Sequence, residues 1–213
     1  MSNKLSLALI GAIAFVAIAG TSNAETLLGK NYIGGSFGIV KFGDDDLDEV
    51  LGNGYGFDGV ANINLNQNID LNLGIGYVWA DGDTEGIEID LTGLSAGADL
   101  VYFFKPGEKV NPYIGAGLTV VKSEVEFSGF GESESEDDTE VGFGGGVGVE
   151  LEFTEQVLFR FGLDYFNIDS EDSIDLGVGA GYWFNETVLG TISGSYDFDS
   201  EDASASIGLI VKL

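Results

Sequence analysis

Carboxylates are the only abundant side chains in this sequence that could carry acid–base chemistry. The 213 residues include 36 Asp and Glu against eight Lys and Arg, with Arg160 the single arginine and with no histidine. Histidine is the side chain that titrates near neutral pH and most often serves as general acid or base. Its absence leaves only carboxylate pairs, such as Asp175 with Asp197. We interpret that pair as two solvated acids at a strand end, and we predict no catalytic or cofactor-binding residue.

The acidic segments contain the only candidate metal ligands in the sequence that form a recognisable pattern. Asp81–Gly86 resembles the start of a calcium-binding EF-hand loop, but its twelfth position, which requires a bidentate acid, is Thr92, and no helical pattern flanks it. We therefore predict no metal site. Asp44–Glu49 and Glu132–Asp138 predict an acidic crown that either attracts divalent cations or is simply solvated, as charge runs usually are. The net charge of −28 argues against a nucleic-acid partner, because phosphates would repel the chain.

The first 24 residues have the pattern of a secretory signal. Lys4 precedes the apolar stretch Leu5–Ala19, and Ser22-Asn23-Ala24 supplies small residues for cleavage. The apolar stretch is shorter than the roughly 20 residues that a membrane-spanning helix needs. We predict a signal peptide over residues 1–24 and one mature domain over residues 25–213.

The mature chain alternates between apolar and small or polar residues. The stretch Val141–Tyr165 shows this best: large apolar side chains occupy nearly every odd position, while glycine and a few charged residues occupy the even ones. Alternation with period two places the two sets on opposite faces of a strand. An apolar face beside a face of small residues is typical of a narrow barrel whose outer face meets lipid. Ten such stretches predict an all-β, closed antiparallel up-and-down transmembrane β-barrel of ten strands, with eight as the alternative.

The connections between the stretches are of two kinds. Asn66–Asn68, Thr154–Gln156 and Asn185–Thr187 are three-residue turns, and Lys105–Asn111 is a longer turn. The connections between these turns, such as Ser128–Glu140, are acidic loops. In bacterial outer-membrane barrels the short turns face the periplasm and the loops face outward. An even strand number then places both termini in the periplasm of a protein in the cell outer membrane. The first turn also predicts that Tyr55 lies opposite Trp79 and Phe57 opposite Tyr77, in an outward aromatic girdle.

One predicted strand changes phase. Ile87, Ile89 and Leu91 use odd positions, whereas Leu94 and the apolar residues after it use even ones. A β-bulge near Thr92-Gly93 would keep both sets on the outward face. Alternatively, the odd-numbered part stands above the membrane.

Arg160 interrupts the inward face of the strand that follows Thr154–Gln156. The turn places it across from Glu150, with Glu152 two residues nearer the turn. Facing lipid, an arginine would cost about 2–4 kcal/mol at the membrane midplane. We therefore predict that Arg160 points into the lumen and forms a structural ion pair there with Glu150 and Glu152. A hydrated arginine in a wet lumen is the alternative.

The pattern of the whole mature chain resembles that of the small bacterial outer-membrane β-barrel proteins, which include the OmpA transmembrane domain and the OmpX-like barrels. Its most specific element is Ser206-x-Gly208-x-x-Val211-x-Leu213. This run looks like the signal by which the barrel-assembly machinery recognises the last strand, with Leu213 in place of the usual aromatic residue. The resemblance implies that this machinery is a partner during insertion, and that outer-membrane lipid surrounds the folded protein.

The resemblance also bears on function. The known enzymes among small outer-membrane barrels are acid/base proteases and lipid-A acyl-modifying enzymes, whose sites depend on a histidine that this chain lacks. We therefore predict a non-enzymatic integral outer-membrane protein with a structural or loop-mediated binding role. A narrow cation-selective pore is the first alternative, and an adhesin or receptor is the second.

Overall fold

The computed structural model describes residues 30–43, 50–84, 87–105, 108–129, 132–169 and 171–213. The predicted signal peptide and the acidic segment Asp44–Glu49 lie outside these residues. The described chain forms ten strands: β1 (Tyr32–Lys41), β2 (Asn53–Asn66), β3 (Ile69–Thr84), β4 (Ile87–Phe103), β5 (Val110–Gly129), β6 (Glu132–Glu152), β7 (Val157–Ile168), β8 (Glu171–Trp183), β9 (Val188–Asp197) and β10 (Ala203–Lys212).

The strands close into one antiparallel barrel in which each pairs with its neighbours in sequence and β10 pairs back onto β1. The closing register runs from Tyr32 opposite Lys212 to Lys41 opposite Ala203. Closure leaves no free strand edge in the membrane, where an unpaired backbone would lack water as a partner. The predicted fold class and the number of strands are confirmed.

The two ends of the barrel differ, as the two kinds of connection predicted. We call the end at which β1 begins and β10 ends the turn end, and the opposite end the loop end. At the loop end Tyr55 lies opposite Trp79 and Phe57 opposite Tyr77, so the register predicted from the first turn is confirmed. The rings form an outward cluster, with centroids 5.6 Å apart for Phe57 and Trp79 and 5.9 Å apart for Tyr77 and Trp79.

Strand β4 contains no bulge, so the first of the two explanations for its change of phase, a bulge that keeps both apolar sets outward, is wrong. Its pairing with both neighbours runs without interruption through Thr92 and Gly93. Ile87, Ile89 and Leu91 therefore point inward, and the last two are buried. They lie near the loop end, beyond the part of β4 whose outward face is apolar. The side chains of β4 therefore alternate without interruption, but its apolar residues point inward near the loop end and outward in the rest of the strand.

The described residues of Ser128–Glu140, which is predicted to be a loop, form the top of a long hairpin. β5 and β6 have 20 and 21 residues, and they pair continuously from Val110 opposite Leu151 to Gly129 opposite Glu132. The next strand is shorter: β7 ends at Ile168, which lies opposite Gly142. The upper half of β6 therefore extends beyond the strand on its other side.

Within the described residues no helical segment is long and apolar enough to cross a membrane.

Candidate functional site: a polar lumen sealed at both ends

The lumen is lined by polar side chains because the inward positions of the strands carry Asp, Asn, Ser and Thr in place of the outward apolar residues. The buried members include Ser36, Asn62, Asn72, Ser95, Asn111, Thr119, Glu150, Arg160, Thr191, Ser193 and Ser206. Several are joined by hydrogen bonds: Asn62 donates to Asp70 at 3.0 Å, and the Ser193 and Ser206 hydroxyls are 2.7 Å apart. Such a lining can link neighbouring strands or hold small ligands.

Arg160 lies inside the barrel and is buried. It sits opposite Glu150 in the β6–β7 register, and Glu150 is also buried. Glu152, by contrast, lies opposite Leu158 at the turn end and is only partly buried. Arg160 and Glu150 therefore lie opposite each other in the lumen, and the ion pair of Arg160 with Glu150 and Glu152 stays a prediction.

Tyr113 of β5 is a partner of Arg160 that the sequence analysis missed. The Arg160 Nε donates a 2.8 Å hydrogen bond to the Tyr113 hydroxyl, and its guanidinium carbon lies 4.3 Å from the ring centroid. A cation held over an aromatic face is stabilised by the ring quadrupole. Arg160 thus connects β7 to β5 across the intervening strand.

Inward glycines make room for the large inward side chains. Gly148 lies opposite Tyr113 and Gly146 opposite Asp164, and a Cβ at either glycine would overlap that partner's side chain. Gly117 has the same relation to Asp99. The glycine-rich run in β6 therefore accommodates specific neighbours and does not leave the lumen empty.

This packing predicts the effect of a single methyl group. Gly148→Ala should lower the free energy of unfolding by about 1–3 kcal/mol, because the Cβ would overlap the Tyr113 ring and the Phe161 backbone carbonyl. Gly177→Ala is the matched control, since a Cβ at that glycine meets nothing within 4 Å. Urea unfolding in lipid vesicles measures both, and equal stabilities for the two variants would contradict the packing.

An apolar cluster fills the loop end of the lumen. It comprises Val40, Phe42, Leu51, Val78, Ala80, Ile89, Leu91, Val121 and Ile168. The β1–β2 connection contributes Leu51, and a Cβ at Gly82 of β3 would overlap the backbone of Val50. The β1–β2 connection is also joined to the β9–β10 connection, because the Gly43 amide donates to the Asp202 carboxylate at 2.7 Å. We call the nine apolar residues the mouth cluster.

A second apolar cluster lies at the turn end. Tyr32, Val60, Trp183, Leu189 and Ile210 pack together there, and Val101, Phe103 and Tyr113 form a smaller group. The Lys212 ammonium lies 5.8 Å from the centroid of the Trp183 ring. Trp183 is buried in this cluster, so its ring lies inside the lumen. The polar lining lies between these clusters and the mouth cluster.

The carboxylates of Asp175 and Asp197 lie opposite each other, but the expectation that they are solvated is wrong. Both are 4% exposed. Asp197 accepts hydrogen bonds from the Asp199 and Ser200 amides, at 2.7 and 3.1 Å, and from the Ser173 hydroxyl at 2.7 Å. These contacts give Asp197 a structural role in closing the β9–β10 turn. Among the described residues no group of three acids is arranged to hold a metal ion.

The residues of the predicted assembly signal lie in β10 and at its end. Ser206 and Gly208 face the lumen, whereas Val211 and Leu213 are exposed on the outside. The Leu213 amide donates to the Asn31 carbonyl at 3.0 Å, which fixes the end of the closing strand. Recognition of these residues by an assembly machinery stays a prediction.

A closed barrel of antiparallel strands, with an apolar outward band, aromatic residues near both ends and a polar lumen, defines a transmembrane β-barrel protein. The family comparison agrees with this class: residues 6–190 match the model of the outer membrane protein beta-barrel domain. The chain belongs to this family, and its location is the outer membrane. No curated protein matches the chain.

Solved structures share the fold at low sequence identity. The translocator domain of the autotransporter NalP from Neisseria meningitidis is 10% identical, with a TM-score of 0.56, covering 100% of this chain and 98% of that one. The outer membrane protease OmpT from Escherichia coli is 10% identical, with a TM-score of 0.55 and coverages of 87% and 97%. The transport unit of the autotransporter AIDA-I from Escherichia coli is 9% identical, with a TM-score of 0.54 and coverages of 97% and 98%.

Proposed function

We propose that this protein is a non-enzymatic outer-membrane barrel with a structural or loop-mediated binding role, and that both termini face the periplasm. The observation that carries the proposal is the filling of both ends of the lumen by apolar side chains. Phe42, Leu51 and Leu91 close the loop end, and Trp183 and Leu189 close the turn end. An ion would have to cross two dry constrictions, which disfavours conduction.

The non-enzymatic part of the proposal is supported by residue type. The chain has no histidine or cysteine, both inward carboxylates Asp175 and Asp197 are buried, and Asp197 accepts hydrogen bonds from the β9–β10 turn. A general acid or base must reach the proton of a bound substrate. Because both carboxylates are buried, neither can reach the proton of a substrate that approaches from the solvent.

A narrow cation-selective path is the second candidate, and the charge of the lumen favours it. Asp58, Asp99 and Asp164 all point inward and are partly buried, with Arg160 as the basic group among them. Rings of carboxylates select cations in channels. This path would require the apolar clusters to open.

Single-channel recording in planar bilayers tests the proposal. We expect a conductance far below that of a general porin, with and without divalent cations. Assays of the same preparation for proteolysis and lipid acyl transfer should show no activity. Porin-like conductance would support the second candidate, and either enzymatic activity would overturn the non-enzymatic assignment.

A further inference from the structure

The half of β6 nearest the loop end has an edge that extends beyond the neighbouring strand β7. Pairing between β6 and β7 ends at Gly142 opposite Ile168, because β7 ends there and β8 begins at Glu171. From Gly142 up to Glu132, β6 continues to pair with β5 on its other side. Within the described ranges no strand pairs with this part of β6 on the β7 side.

The direction of the backbone amides along this edge follows from the register. The Glu152 amide donates to Lys109 on the β5 side, and the Phe153 amide donates to Val157 on the β7 side. Because the β5–β6 register is continuous, even-numbered amides of β6 point to β5 throughout and odd-numbered ones point the other way. The amides of Ser133, Ser135, Asp137 and Thr139 therefore face the open side, where the Thr139 amide donates to the exposed Asp138 carboxylate at 2.7 Å.

The side chains of the edge carry one sign of charge on the face above the barrel mouth. Glu134, Glu136, Asp138 and Glu140 lie opposite Phe127, Val125, Ser123 and Val121, whose side chains point toward the barrel axis. We call these four acids the inner acidic ladder. Successive members are about 7 Å apart, twice the rise per residue of a strand. On the outer face, Asp137 already forms an ion pair with Lys122 at 3.5 Å.

We propose that this edge binds an extended basic peptide segment, which adds to β6 as a further strand and places Lys or Arg at alternate positions over the inner acidic ladder. The proposal rests on the binding role proposed above and names the class of partner. Strand addition supplies backbone hydrogen bonds, and alternate side chains supply specificity. Like charge along the edge opposes pairing with a second copy of this chain, whereas opposite charge favours the pairing.

A labelled ten-residue peptide of alternating Lys and Thr tests the proposal, with fluorescence anisotropy measured against the full folded protein in detergent micelles at low salt. A peptide of the same composition with its lysines in one block is the reference. We expect the alternating peptide to bind more tightly. Equal binding of the two peptides, or no binding of either, would overturn the proposal.

Two sets of variants separate strand addition from simple charge attraction. Ser135→Pro combined with Thr139→Pro removes two amides on the open side while keeping the β5 hydrogen bonds and every charge, and edge strands tolerate proline. Ser135→Ala with Thr139→Ala is its control. We expect the proline pair to abolish binding and the alanine pair to keep it. Binding that survives in the proline pair would overturn strand addition.

Neutralising the inner acidic ladder should weaken binding about tenfold or more, because it removes four opposite-charge cross-strand pairs that each favour the pairing. The matched control neutralises the same residue types on the outer, exposed face of β4 and β5: Glu88, Asp90, Glu124 and Glu126. Equal weakening by both sets would overturn the role of the inner acidic ladder in recognising the peptide.

Conductance and enzyme assays are independent of these binding measurements, so the proposed function and the peptide site can fail separately.

Discussion

Arg160→Ala should lower the free energy of unfolding by about 3–5 kcal/mol, because it leaves Glu150 buried opposite no cation. The same substitution removes the hydrogen bond from Arg160 Nε to the Tyr113 hydroxyl. Urea unfolding in lipid vesicles measures the loss. A substitution that only removed a solvated side chain would cost about 0–1 kcal/mol.

The companion substitution tests whether the charges interact. Combining Arg160→Ala with Glu150→Gln should recover part of the loss, because the remaining carboxylate is neutralised. Tyr113→Phe, which keeps the ring over which the guanidinium lies, should cost only about 0.5–3 kcal/mol. Strictly additive effects of the Arg160 and Glu150 changes would contradict the ion pair.

The position of Arg160 could be predicted from sequence because a short turn fixes a register. Thr154–Gln156 leaves one way to pair the strands on either side of it, so Glu150 and Arg160 follow by counting. Tyr113 could not be found in this way. Its approach to Arg160 depends on the register between β5 and β6. That register could not be predicted, because the acidic residues that join the two strands do not show where the turn between them lies.

The two errors in the fold have a common cause. Lipid and a protein interior both select apolar side chains, so the sequence does not say which of them Ile87, Ile89 and Leu91 face. Above the membrane a strand needs no apolar face, so Glu132–Glu140 has the composition of a loop while it is paired throughout with β5. Alternation therefore predicts the strands within the membrane well and their extensions poorly.

The burial of Asp175 and Asp197 was missed for a related reason. Their acidity and their place near a strand end favour solvent exposure when the sequence alone is considered. The β9–β10 turn supplies backbone amides to Asp197, which compensate for the loss of water. Hydrogen bonds from a turn to a distant strand position are not encoded in a local pattern.

Phe42→Ala should open the loop end of the lumen and destabilise the barrel by about 3–5 kcal/mol. Phe42 is 1% exposed within the mouth cluster, where its ring also lies against Gly54. Removing a buried phenylalanine side chain creates a cavity that the surrounding residues fill only in part. Urea unfolding measures the stability, and a thiol reporter measures the opening, because the chain has no cysteine of its own.

Thr119→Cys is a suitable reporter, since Thr119 points into the lumen two residues below Val121 of the mouth cluster. In vesicles with the loops outward, a positively charged methanethiosulfonate added outside should label this cysteine slowly, and several-fold faster once Phe42 is alanine. Leu189→Ala removes a similarly buried side chain at the turn end and should leave the labelling rate unchanged. Rapid labelling with the mouth cluster intact would contradict the seal, because reagent would then pass Phe42 and Leu51 without their removal.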